Sequence, residues 1–255
     1  DFAAQAGANQ VGVKRLQELL AAMGAADFSA GLDQLNDYAD TLTANMLTGI
    51  TAGHYHFQDY LDDDGQGHER ILLDLQMQIS AGDALLDFSA SSDQVPGNLN
   101  CPEPVVAAAA YYCFRGLFRR IRIKTRPGSI VNARRPAAVA AGNVETSTRL
   151  VDLVLGALSQ PLPQRIPAAS QGSMNNIAMG HAGNADNPRW DYYETLAGGL
   201  GGGPSRAGLH CVHSHMTNTL NTPIESLEMH YPLRLREYSR RRGSGGAGQQ
   251  PGGDG

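Results

Sequence analysis

Apolar residues at Val13, Leu16, Leu19, Leu20 and Met23 recur at helical spacing, and Gly24 is placed to cap the end. Leu32, Leu35, Ala39, Leu42 and Met46 repeat the pattern. The two stripes predict a helical hairpin over about residues 1–50, joined by a loop at residues 25–29. Over residues 53–61 the period changes to two. Tyr55, Phe57 and Asp59 share one face of a strand, and His54 and His56 the other. Asp62, Asp63, Asp64 and Gly65 form an acidic turn that lacks the later ligands of an EF-hand loop. Residues 70–79 and 84–88 read as two strands about a turn at Gly82 and Asp83.

Residues 89–104 are a polar loop, in which Asp93, Asn98 and Asn100 suit a ligand or Asx turns equally well. The alanine-rich run 105–118 predicts a buried helix with Cys113 as inert core. Residues 121–125 look like a strand. No Gly, Pro, Asn or Asp parts them from the helix, which predicts a loop missing from the sequence there. Arg134 and Arg135 stand among small residues, a setting for a guanidinium fork on carboxylate or phosphate, or for an ordinary surface pair. Leu150, Leu153, Val154 and Leu158 mark an amphipathic helix, with Asn143 as its cap and Glu145 in its first turn. The glycine before that start also fits an anion site. Pro161, Pro163 and Pro167 form a linker, and residues 170–176, with Asn175 and Asn176, are small and amide-rich. The glycine run 198–203 is neither a dinucleotide fingerprint nor a P-loop; it reads as backbone that bends sharply or approaches a ligand closely. Residues 231–238 read as a strand and 240–255 as a glycine-rich tail or loop. The whole predicts an α+β fold: mixed antiparallel sheets, an N-terminal helical hairpin, and covering helices over one body at about 51–255.

At 255 residues and 42% hydrophobic, the chain can bury a large core. A net charge of −5 argues against nucleic acid as a partner. Three scattered cysteines without a CxxC favour a reducing, cytoplasmic setting. The longest apolar run, residues 105–112, is too short to span a bilayer, and no secretory signal opens the sequence. It starts at Asp1 without a Met and stops within a glycine-rich run, so a piece of a longer protein is expected.

Candidate chemistry concentrates in residues 209–228, LHCVHSHMTNTLNTPIESLE. If this run is extended, Cys211, His213 and His215 point to one face, about 6.6 Å apart along it. Two imidazoles so placed suit a divalent metal (Mg, Mn or Zn), or an acid–base pair in which one orients water and the other moves a proton. Neighbours satisfying both rings is the plainer reading. Asn218, Asn221 and Thr222 add amide and hydroxyl groups, and Glu225 follows Pro223.

Six segments carry a resemblance: LLDFSASSDQVPGNLN (85–100), PGSIVNARRPAAVAAGNVETS (127–147), PAASQGSMNN (167–176), YYETLAGGLGGGP (192–204), VHSHMTNTLNTPIE (212–225) and YPLRLREYSRRRGSGGAGQQPGGDG (231–255). Together they resemble the hydantoinase B / 5-oxoprolinase family, to which the acetone carboxylase alpha subunits are related. Family members are longer, and Cys211 stands where they commonly have Gly, which leaves His213 and His215 as the better metal or base candidates. The metal of the carboxylase relatives is held upstream of the part that this chain resembles. The resemblance implies a B-type subunit that opens a cyclic amide or imide in a hetero-oligomer. An A-type partner binds ATP and phosphorylates the amide oxygen. It further implies His213, His215 and Glu225 as catalytic candidates. Asn218, Asn221, Thr222, Asn175, Asn176, Asn143 and Glu145 would meet the ring, and Arg134 or Arg135 the phosphate or a carboxylate. A ketone carboxylase subunit and a non-catalytic scaffold are the alternatives.

Overall fold

The computed structural model describes residues 2–114 and 119–255. The last residues of the run expected as helix at 105–118, and the start of the expected missing loop, lie outside these. Helix α1 (Phe2–Met23) and helix α2 (Ala25–Thr48) are divided by one residue, Gly24, whose φ of 82° is open to glycine and strained for other residues. The loop expected at 25–29 is therefore helix: Ala25, Ala26, Asp27 and Phe28 all tolerate helical backbone, and a single left-handed glycine suffices for the break. No residue of α1 is buried, and Val13 and Leu16 are 57% and 47% exposed. Helix α2 differs at its far end, where Thr43 and Leu47 are buried. Arg120 also forks onto Asp40 there at 2.9–3.0 Å.

Strands β1 (Gly53–Asp63), β2 (Glu69–Ser80), β3 (Asp83–Asp87) and β4 (Ile121–Lys124) form one sheet in that order. The β1–β2 and β2–β3 pairs are antiparallel, as the alternation implied, with Gly82 at φ 82° in the second turn. The β3–β4 pair is parallel, because the connection leaves the sheet through helix α3 (Glu103–Phe114) before returning. Tyr55 and Phe57 face the core while His54 and His56 are exposed. Helix α4 (Glu145–Ser159) crosses this face so closely that a Cβ on Gly156 would stand 2.5 Å from the Phe57 ring. Phe88, Phe114, Leu150, Leu153 and Val154 complete a core with almost no solvent contact. Asn143 belongs to a 3₁₀ turn (Ala141–Asn143), and Val144 takes the cap position without a side-chain bond; Asn143 gives only its carbonyl to Ser147. Asn100 is fully buried and holds three loop carbonyls, and Asp93 pairs with Arg126, so these loop groups brace the fold.

The second half is built differently. Strands β5 (Asn176–His181) and β6 (Trp190–Thr195) make a separate antiparallel hairpin that the amide-rich sequence did not announce. Residues 209–217 are not a strand: Cys211 and His215 adopt φ of 48° and 53°, which breaks any extended run. Residues 231–238 are likewise irregular, since the Leu235 N–H goes to the Glu228 carboxylate at 2.8 Å rather than to a neighbouring strand. Between them lies the short helix α5 (Ile224–His230). The run at 198–203 does approach closely, but to the chain's own backbone. A Cβ on Gly199 would stand 1.8 Å from the Gly253 carbonyl oxygen, and one on Gly201 would stand 2.0 Å from that of Ala168. The tail at 240–255 is part of this wall. Gly253 donates to Leu200 and Cys211 to Asp254, at 2.8 and 2.9 Å. No helix among the described residues is long and apolar enough to cross a membrane.

Candidate functional site

Helix α4 buries ten of its fifteen residues, and one of the ten is charged. Asp152 sits in the apolar run Leu150-Val151-Asp152-Leu153-Val154 with its side chain 3% exposed. A carboxylate so placed needs partners. Its Oδ1 accepts from the Ser170 N–H at 3.2 Å and meets His215 Nε2 at 2.8 Å, while Oδ2 accepts from the Ser170 hydroxyl at 2.9 Å. His215 is 9% exposed and is flanked edge-on by Tyr112 at 6.3 Å. Its left-handed backbone turns the loop so that the ring reaches α4. With Nε2 committed to Asp152, Nδ1 is the nitrogen left for a ligand.

His213 lies two residues away, and neither of its ring nitrogens has solvent contact or a hydrogen-bond partner. A buried unpaired polar group costs about 1–3 kcal/mol. Both histidines line a cavity of about 720 Å³ together with Tyr112, Cys113, Ser170, Arg165 and Arg206. Burial first, and then the Asp152 carboxylate, push the Cys113 thiol up, so it remains a protonated wall group. This agrees with its reading as inert.

A larger cavity of about 1260 Å³ shares the Ala168, Ser170, Leu200 and Gly201 wall. Asn175, Asn221 and Thr222 line it beside Glu194 and Tyr192. Glu194 accepts from the Tyr192 hydroxyl, from Asn221 Nδ2 at 3.0 Å and from the Thr222 N–H at 2.6 Å. Burial pushes its carboxyl up, but these three donors, with His213 nearby, outweigh that and hold it below its ordinary value. Asn221 and Thr222 thus fix an ionised carboxylate. Asn176 Oδ1 accepts from Tyr193 and Thr195 on the hairpin.

The remaining sequence candidates stand apart from both cavities. Arg134 and Arg135 are exposed, and the Arg134 guanidinium lies over Gly128. Asn143, Asn218 and Glu225 are also exposed. Glu145 accepts from Ser173 at 3.1 Å. Among the described residues no three His, Cys, Asp or Glu side chains gather as metal ligands. With Asp152 on Nε2, His215 offers Nδ1 alone to a metal, and the described residues supply no further pair of ligands beside it. Sequence reasoning passed over Asp152, Ser170 and Glu194. The signal for Asp152 was present, namely one acidic residue inside an unbroken apolar stretch of a helix.

Fold and site define an α+β protein with a buried carboxylate–imidazole pair at the edge of a cavity. The chain belongs to the Hydantoinase B/oxoprolinase family, whose model matches residues 1–255. It is 34% identical to 5-oxoprolinase 1 of Arabidopsis thaliana over 280 residues, covering 100% of this chain and 21% of that protein. The 5-oxoprolinase of Dictyostelium discoideum is also 34% identical, with 100% and 20% covered. The structure of the ATP-dependent caprolactamase from Pseudomonas jessenii superposes with a TM-score of 0.81 at 27% identity, covering 100% of this chain and 46% of that one. Nucleotide-free acetone carboxylase, at 14% identity and a TM-score of 0.77 over 94% of this chain and 36% of its own, shares the fold. The chain thus spans from 20% to 46% of the length of these relatives.

Proposed function

We propose that this chain is the B-type part of an ATP-dependent cyclic amide hydrolase, acting with an ATP-binding A-type partner in a soluble hetero-oligomer. Relatives named for opening 5-oxoproline and caprolactam support the substrate class. An amide carbonyl is a poor electrophile, and phosphorylation of its oxygen by the partner makes that oxygen a leaving group. What this chain then supplies is a positioned water and a proton acceptor. The Asp152–His215 pair carries the reading. Asp152 accepts from Nε2–H and fixes the ring, and Nδ1 takes the proton of the attacking water. His213, buried without a partner, holds the water or the ring carbonyl. Asn175, Asn221 and Thr222 shape the adjoining wall around Glu194.

The test uses the full chain with its partner, offering hydantoin, 5-oxoproline, and a ketone with bicarbonate, and following ATP turnover. Coupling to ring opening supports the reading. His215→Ala then lowers kcat by about 10²–10⁴-fold. Undiminished ring opening by both His213→Ala and His215→Ala refutes the assignment. Coupling only to ketone and bicarbonate makes the protein a carboxylase.

A further inference from the structure

Helix α4 carries a polar stripe at Glu145, Arg149 and Asp152, which are four and then three residues apart and so share one face. Residues 170–173 run antiparallel along that stripe and meet it at each position. Ser173 donates to Glu145 at 3.1 Å, Gly172 lies on Arg149, and Ser170 holds Asp152 through its N–H at 3.2 Å and its hydroxyl at 2.9 Å. A Cβ on Gly172 would stand 3.0 Å from Arg149 Cζ, 3.1 Å from Nη1 and 3.2 Å from Nη2. Three nearly equal distances mean that the flat face of the guanidinium, and not its edge, lies against Gly172. The edge is turned to Asp59 on β1, with Nη1 donating at 3.4 Å. Gly172 has a φ of 74°, so both its backbone and the guanidinium face demand glycine.

The Gly172 N–H donates to the Ser170 hydroxyl oxygen at 3.1 Å, and that hydroxyl donates in turn to Asp152 Oδ2. A line of contacts therefore runs from Arg149 through Gly172, Ser170 and Asp152 to His215. Arg149 gains little stability from its place. Its Nε is buried without a partner, and its one ion pair is long and partly exposed, with the two side chains 23% and 27% accessible. It lines neither cavity.

We propose that Arg149 is a positioning residue for ring opening: its guanidinium face sets the turn at 170–172, so that Ser170 aims Asp152 and Asp152 holds the His215 ring in one tautomer. This rests on the Asp152–His215 reading above and names what keeps that pair in place.

The test uses the full chain with its A-type partner and 5-oxoproline. Arg149→Met should lower kcat about tenfold and shift KM less than about twofold, as for a residue that acts on the base rather than on binding. Ser170→Ala should give a loss of similar size. The double variant should fall within about twofold of the larger single effect, because the two act along one line. Arg149→Lys keeps a cation for Asp59 but has no flat face, and should behave like Arg149→Met. Asp59→Asn cuts the ion pair alone and should lower kcat less than about threefold. If Arg149→Met does not fold, Arg149→Lys takes its place in the comparison. Nitrogen NMR of the histidine-labelled full chain gives a readout without turnover, the His215 signal being the one missing from His215→Ala. The parent should show the Nε2–H form, and Arg149→Met and Ser170→Ala a mixture of both tautomers. Additive losses, an Asp59→Asn effect equal to that of Arg149→Met, or a parent-like His215 signal in Arg149→Met overturns the inference. Ring opening indifferent to His215→Ala refutes the assigned function, and the NMR comparison then still decides whether Arg149 positions the pair.

Discussion

The chain up to Ser159 and the chain beyond it are held together by different forces. In the first, twenty-six buried apolar residues form one cluster between the β1–β4 sheet and helices α3 and α4. In the second, the buried apolar side chains among the described residues are Tyr192 and Leu227. There the order comes from backbone laid against backbone, with N–H groups of Gly208, Cys211 and Gly253 donating across to carbonyls far along the chain. Burial of apolar surface is non-directional and tolerates exchange of one side chain for another of like volume. Interlocked glycine backbone is directional and leaves no room for a methyl group. The Asp152–His215 contact joins the two regions, with the carboxylate on the well-packed side and the imidazole on the glycine-rich side.

Substitutions can separate these regimes. Phe88→Ala removes a fully buried ring and should lower global stability by about 3–5 kcal/mol in urea titration. Gly199→Ala places a Cβ where the Gly253 carbonyl oxygen stands, and should cost about 3 kcal/mol. Hydrogen exchange should show that loss in residues 198–212 and 250–255, with β1–β4 still protected. If exchange rises equally in both regions, the division is mistaken. Asp152→Asn keeps the shape of the contact but no longer fixes the imidazole as a carboxylate does. It should lower kcat about tenfold or more at near-wild-type stability.

Acid should act on both sides, through Asp40, Asp64 and Asp87 in the first and through Glu194 and Asp254 in the second. The folded Glu194 carboxyl lies below its ordinary value, so the stability it contributes is present above the unfolded pKa of about 4.3 and is lost as pH falls through the folded value. Urea midpoints measured down through this window should drop less steeply for Glu194→Gln than for the parent. The smallest effect is expected on α1. Leu16→Ser, at a site 47% exposed, should change stability by no more than about 0.5 kcal/mol.

What could be read from the sequence divides along the same line. Period-two alternation at Tyr55 and Phe57, the Gly82 turn and the stripe through Leu150 and Leu153 announced the well-packed region, because burial leaves a periodic mark. The region beyond Ser159 has no such mark. Glycine specifies where backbone can approach backbone but not which partner it meets, so the pairing of Gly199 with Gly253 was invisible. The site shared this fate. His213 and His215 stood out as residue types, yet the strand that would have aligned them is broken by left-handed backbone at Cys211 and His215. The His215 partner lies 63 positions away on α4. Arg134 and Arg135 drew notice through their small neighbours, whereas Arg165 and Arg206, in proline- and glycine-rich turns, gave no local sign of the cavity they line.

The contacts from residues 250–255 back to 199–211 also set an order of events during synthesis. The sheet and its covering helices are complete once Ser159 has left the ribosome. The wall behind Ser170 cannot close until Gly253 and Asp254 have been added. Until then Asp152 stands on α4 while the loop that carries His215, 63 positions further on, lacks the backbone bonds that hold it. The contact that joins the two regions thus forms after the first of them.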